Sequence, residues 1–372
     1  MSVEQSYPVK PPYRASSPSY SGLEQLEMGA DDVLKDRYPR YFRFGTPTSD
    51  ALNQALQKYE SGFQSITTSS GLSAITTVLL ALAKPKTKVV FNKGIYAPVK
   101  NFANSTLKKF DVECQFVSSR QLSKSNDIID SNTSLVYLES PSSNVFDIVD
   151  FEHCIGLARK WGVPVVIDNT WATPLNFDPF KFGIDVSIHS ASKYIGGHSD
   201  LVLGIINCSE KIYPQIRTYT NNSGQSFGSE EVYAAVKGFK TLDVRLQKQS
   251  QSAQEIVRYL TSNDSVIDVI KPDSPTHHDY ELWKKYFSGS NGILSFSIDC
   301  QTTSLSAMLK AFKKIKVAYG WGGTETTIVP FAMEGDHPCY SNKYRYLRLS
   351  VGLEPVDVII SELEVALACI SR

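Results

Sequence analysis

The apolar positions of this chain fall into two kinds of run, and their order predicts the fold. Val89–Phe91, Leu135–Leu138, Val165–Ile167 and Val186–Ile188 are short, nearly all-apolar runs that end in polar residues. Runs of that kind predict strands buried on both faces. Val112–Phe116 is a further strand candidate. Between them, apolar positions fall at helical spacing. Leu52, Ala55, Leu56 and Tyr59 mark a first helix after Thr48, Ile75–Leu82 a second and Phe151–Trp161 a third. This alternation, from about residue 48 to 208, predicts a mainly parallel sheet wound by helices.

Further on, Gly238 to Leu260 reads as one long amphipathic helix linking two domains. Phe287–Phe296 predicts a loop entering a strand, Leu305–Phe312 a helix and Tyr346–Val351 a strand. The chain therefore divides into an N-terminal arm (1–45), an α/β domain (46–240) and a smaller C-terminal α+β domain (241–372). The arm is rich in Pro, Ser and Tyr and has no periodicity, so it is either a disordered tail or a segment laid on another surface.

Composition narrows the function classes. At 372 residues there is room for two domains and a large core. Lys+Arg and Asp+Glu are both 38, so no nucleic-acid or other polyanion partner is implied. Six scattered cysteines show neither a Cys-x-x-Cys pair nor metal-ligand spacing, which predicts reduced thiols and no metal. No apolar stretch is long enough to span a bilayer and Met1–Tyr7 is polar, so a cytoplasmic location is expected.

The chemistry concentrates in Val163–Gly204. One apolar run ends in Asp168 and the next in Ser190, Ser192 and Lys193. Open α/β sheets gather ligand groups at the carboxyl ends of such strands, so one crevice is expected to hold a carboxylate, two hydroxyls and a lysine. That set fits pyridoxal 5'-phosphate (PLP), which needs a Schiff-base lysine, an acidic partner for its ring nitrogen and donors around its phosphate. Thr67–Ala74, a small-residue loop opening a helix, offers free N–H groups to a phosphate.

The runs Asp168-Asn169-Thr170-Trp171-Ala172-Thr173-Pro174 and His189-Ser190-Ala191-Ser192-Lys193-Tyr194 resemble the cysteine/methionine-metabolism family of PLP enzymes. The resemblance extends from about Val9 to the end, and it implies the PLP-dependent transferase-like architecture, fold type I. It also implies roles. Lys193 would carry the cofactor and Asp168 face its ring nitrogen. The amides of Gly71 and Leu72, with Ser190 and Ser192, would cradle the phosphate. Tyr96, in a Tyr-x-Pro setting, would stack on the ring and help move protons. Tyr41 and Arg43, matching the family's Tyr-x-Arg pair, would reach the phosphate of a neighbouring subunit in a homotetramer, a dimer of dimers with shared active sites. Arg348 would fork onto the substrate's α-carboxylate.

Where most γ-acting members carry a glutamate, this chain has Tyr319, followed by Gly320-Trp321-Gly322-Gly323. The bacterial β-lyases resemble it better, with Tyr then Ser-Trp-Gly-Gly. Gly320 departs from their serine, Phe44 from their second arginine, and Ser143-Asn144 shifts the family's asparagine by one place. With Tyr319 and Trp321 lining the substrate pocket, the resemblance implies a carbon–sulfur β-lyase acting on a small amino-acid thioether. Cystathionine β-lyase in methionine biosynthesis, yielding homocysteine, pyruvate and ammonia, fits best. A γ-synthase or γ-lyase, a cysteine-S-conjugate β-lyase or cysteine desulfhydrase, and a cofactor-binding protein without catalysis are the alternatives. With Lys193 and Tyr96 on opposite faces of the ring, slow racemisation of alanine is a further expectation.

Overall fold

The computed structural model describes residues 9–28, 41–333, 337 and 339–370. The larger sheet has seven strands: β1 (Gln64–Thr68), β2 (Lys88–Asn92), β3 (Glu113–Val117), β4 (Thr133–Glu139), β5 (Val165–Asp168), β6 (Val186–Ser190) and β7 (Gly204–Cys208). Their order is β1-β7-β6-β5-β4-β2-β3. The five strands from β6 to β3 run parallel, and β7 is antiparallel to both of its neighbours.

Strand alternation divides the core. Val89, Phe91, Leu135, Tyr137, Val166 and Ile188 pack with Ile75, Val78 and Leu79 of the helix Gly71–Leu82. Their sequence neighbours Val90, Val136, Leu138, Val165 and Ile167 pack with Phe151, Ile155 and Ala158 of the helix Phe151–Trp161. Successive side chains thus face opposite layers. Each fully buried aliphatic side chain contributes roughly 1.5–3 kcal/mol of transfer free energy, so the central strands cannot tolerate polar alternation.

The smaller sheet contains β8 (Val266–Ile270), β9 (Ile293–Asp299), β10 (Lys316–Val317), β11 (Thr327–Phe331) and β12 (Tyr344–Ser350), ordered β10-β11-β12-β9-β8. Only β10 and β11 pair in parallel. Ala253, Ile256 and Leu260 of the helix Leu242–Thr261, with Ile359 and Leu363 of the helix Val356–Leu367, cover Leu294, Phe296 and Leu347.

Two expectations are corrected. The predicted Gly238–Leu260 helix is two, Ser229–Phe239 and Leu242–Thr261. At the break, the buried Arg245 guanidinium donates to the carbonyls of Gly238 and Tyr194 at 2.7 and 2.8 Å, satisfying an end that periodicity cannot reveal. The helix expected after Thr48 spans Pro47–Leu56, so Tyr59 lies beyond it, against the Phe239 ring.

Within the described part of the arm, residues 11–16 lie on their own chain, and Leu23–Met28 forms a short helix. Tyr13 N–H donates to Thr48 Oγ1 at 3.2 Å, the Thr48 hydroxyl donates to Pro11 O at 2.7 Å, and Phe42 N–H donates to Ser16 O at 2.7 Å. Residues 1–8 and 29–40 of the predicted arm lie outside the described residues. Among the described residues, no helix is long and apolar enough to cross a membrane.

Candidate active site

Adjacent parallel strands bring the predicted chemistry together at their carboxyl ends. β4 ends in Glu139, β5 in Asp168 and β6 in Ser190, with Lys193 in the turn that follows. Asp168 Oδ1 accepts the Thr170 N–H at 3.0 Å, and the Thr170 hydroxyl in turn accepts the Ser190 N–H at 2.8 Å. Burial raises the Asp168 carboxyl, while Thr170, His189 and Lys193 pull the other way. Burial lowers the Lys193 ammonium and the Arg348 charge adds to that, while Asp168 opposes it. Such a lysine loses its proton more readily than one in water. Its Nζ stands 5.5 Å from the centre of the Trp321 ring.

The phosphate cradle is built by close backbone approach. Ser70 caps the helix Gly71–Leu82 by accepting the Ser73 N–H at 3.0 Å, so Gly71 and Leu72 are its first two residues, whose N–H groups have no partner within the helix. A Cβ on Gly71 would lie 2.6 Å from Ser190 Cβ, so only glycine lets the helix start come this near to β6. Ser190 therefore sits beside the helix N-terminus, as an anion site requires. The Ser192 hydroxyl accepts the Leu203 N–H at 3.1 Å and donates to the Leu203 carbonyl at 3.5 Å. A carboxylate, a lysine of weakened basicity, hydroxyls and free amides in one cleft fit PLP: Lys193 and Asp168 would hold its ring end and Gly71, Leu72 and Ser190 its phosphate.

The Arg348 fork is occupied on both prongs. Nη1 donates to Asn144 Oδ1 at 3.1 Å and Nη2 to the Tyr319 carbonyl at 2.7 Å. The one-place shift of the asparagine is absorbed by left-handed backbone at Asn144, φ 68°. Ser143 bonds instead to the Glu139 carboxylate. The Tyr319 side chain behaves differently from its predicted role: it is 83% exposed, and the residue meets Arg348 through its backbone. Trp321 packs on Tyr194 and faces Lys193. Tyr96 is 46% exposed at the start of the helix Ala97–Ser105. Tyr41 is exposed, and Arg43 donates to Asn221 O at 2.9 Å and stacks on Phe44.

Two carboxylates escaped the sequence reading. Glu139 accepts the Tyr96 N–H at 2.6 Å, and burial, with the Asp168 charge nearby, pushes it up to about 8. Its signal was available, since it ends an apolar strand just as Asp168 does. Glu60 is fully buried and gathers His189, Asn169, Ser187 and Asn207 at 2.8 to 2.9 Å. Burial would raise Glu60, but His189 and the amide donors outweigh it and hold the carboxyl low. The network braces β6 and Asn169 behind Asp168. Nothing local marks Glu60, whose partners are more than a hundred residues away.

Comparison with known proteins gives the same reading. The family described as Cys/Met metabolism PLP-dependent enzyme matches residues 4–368. An L-alanine/L-glutamate racemase of Wolbachia pipientis wMel is 33% identical over 371 residues, covering 96% of this chain and 92% of the relative. A putative cystathionine beta-lyase of Saccharomyces cerevisiae is 32% identical over 326 residues, covering 86% and 93%. The crystal structure of a putative O-acetylhomoserine (thiol)-lyase from Campylobacter jejuni superposes with a TM-score of 0.87 at 26% identity, covering 97% of this chain and 95% of that one. That structure contains a pyridoxyl-lysine phosphate. The fold is thus the fold type I architecture of PLP enzymes. The chain belongs to the Cys/Met metabolism family of PLP-dependent enzymes, with PLP as its cofactor.

Proposed function

We propose that this enzyme is a carbon–sulfur β-lyase whose preferred substrate is cystathionine, cleaved to homocysteine, pyruvate and ammonia. The observation that carries this reading is Trp321 beside Lys193. An indole 5.5 Å from the reacting nitrogen shortens the pocket beyond the β-carbon. Tyr319 also supplies no carboxylate for a distal ammonium, which the γ-acting pattern requires. Bound PLP supplies an electron-withdrawing ring that eases loss of the α-proton. Arg348 holds the α-carboxylate, with Asn144 and the Tyr319 carbonyl fixing the plane of its fork. Lys193, its charge disfavoured by burial, takes the α-proton, and Lys193 or Tyr96 returns one to the departing sulfur. The six cysteines, all unpaired, support a reducing, cytoplasmic setting.

A thioether carrying sulfur only on the β-carbon, such as S-ethylcysteine, is expected to yield pyruvate. Methionine, with sulfur only on the γ-carbon, is expected to yield no 2-oxobutyrate. Coupled reduction of the oxo acids reads both, and faster turnover of methionine would reverse the assignment.

A second activity is favoured by the relative named as a racemase. Alanine has no β leaving group, so once its α-proton is lost the only exit is to regain one. Lys193 and Tyr96 offer two proton groups for that step. Slow D-alanine formation is expected, well below the lyase rate. Incubation of L-alanine in deuterated water checks it, since deuterium at the α-carbon without any D-alanine would mean that only one group exchanges protons.

A further inference from the structure

Away from Lys193, side chains from three distant segments converge on one point. Asp147 follows β4, His278 precedes the helix Tyr280–Tyr286, and His337 lies between β11 and β12. His278 Nε2 is 2.8 Å and His337 Nε2 3.1 Å from the same oxygen, Asp147 Oδ1. One ligand atom from each of the three lies within 4.8 Å of the others. Asp279 Oδ2 is 3.4 Å from His278 Nε2, and the Cys339 side chain interacts with the His337 ring. Asp147 and His337 are 190 residues apart, so no motif spacing could reveal the group.

The surroundings hold these atoms in place. The His277 ring stacks on His278 with centroids 4.3 Å apart. His277 is itself fixed, its Nδ1 accepting the Asp279 N–H at 3.2 Å and its Nε2 facing Val145 O at 3.4 Å. The Asp147 Oδ1 atom lies between the two imidazoles and is within hydrogen-bond reach of both. Two imidazole nitrogens and a carboxylate, with a thiol adjoining, form a donor set suited to a borderline divalent ion.

We propose that Asp147, His278 and His337 form a binding site for a divalent transition metal of the zinc class, with the fourth position open to Cys339 or water. The protons balance as follows. The Cys339 N–H donates to His337 Nδ1 at 3.1 Å, so a proton on this ring faces Asp147 from Nε2. Metal capture displaces the Nε2 proton of each ring: that of His337 moves to Nδ1 and gives up the Cys339 contact, and that of His278 moves to its own Nδ1 or to water. That rearrangement weakens the site, so its ion should be exchangeable. An ion there would tie the loop bearing Asn144, the partner of Arg348, to the β11–β12 connection of the smaller sheet. The site stands independently of which carbon–sulfur bond the enzyme cleaves.

Titration of metal-stripped holoenzyme with cobalt(II), followed by visible d–d absorption, tests it. Wild-type protein is expected to saturate near one equivalent per chain with the intensity of a low-coordinate ion, and zinc should bleach the band. His278→Ala and His337→Gln should each weaken uptake by about 10-fold or more, with PLP content and circular dichroism unchanged. His278 is partly exposed, so its variant is the less disturbing one and decides the matter if His337→Gln misfolds. Absence of saturable uptake by wild type, or uptake unaltered by His278→Ala, overturns the proposal.

Discussion

Replacing Lys193 by alanine is expected to remove all measurable turnover and all borohydride-fixable cofactor. The lysine has two duties, covalent attachment of PLP and proton transfer at the α-carbon. General acid–base catalysis alone is worth about 10²–10⁴-fold, and loss of the attachment point adds to it. The fold should survive, because Lys193 lies in a turn beyond β6, outside the strands of the sheet. The checks are reduction with borohydride and mass mapping of a pyridoxylated peptide, in wild type and variant. A reducible lysine–cofactor adduct persisting in the variant would move the attachment to another lysine and break the role assigned to Asp168 opposite it.

The second large effect concerns assembly. Tyr41 is 47% exposed, and Arg43 donates to Asn221 O and lies over the Phe44 ring. We propose that this pair completes the phosphate site of a neighbouring subunit in a dimer or tetramer. Lys193→Ala and Arg43→Ala proteins are then each expected to be nearly inactive alone. In a hybrid dimer one site has both defects and the other none. If about half of the dimers are hybrid, about one quarter of the wild-type activity should return after dissociation and mixing. Activity that stays at the parental level, with hybrids demonstrated by mass, would place Arg43 in its own subunit's structure instead.

How much of this was legible follows from where each signal resides. Asp168, Ser190 and Lys193 were readable because strands buried on both faces are all-apolar until they reach the cleft, where polarity returns at once. β1 and β7 escaped because Gln64–Thr68 and Gly204–Cys208 mix polar and apolar residues too briefly to show a period. The Gly238–Leu260 stretch has uniform helical periodicity, and its break depends on Arg245 meeting carbonyls of Tyr194 and Gly238. Tyr319 was assigned by its side chain, whereas its carbonyl makes the contact with Arg348, which no residue pattern encodes. Glu60 and the Asp147–His278–His337 group are long-range products of folding, invisible in any window of sequence.

Cystathionine offers the enzyme both bonds in one molecule, and its products therefore test the β-lyase reading most directly. Purified enzyme incubated with L-cystathionine should release pyruvate and homocysteine in equal amounts, resolved by chromatography of the oxo acids and thiols. Dominant 2-oxobutyrate with cysteine would contradict the reading, because it requires cleavage at the carbon that Trp321 is argued to keep out of reach.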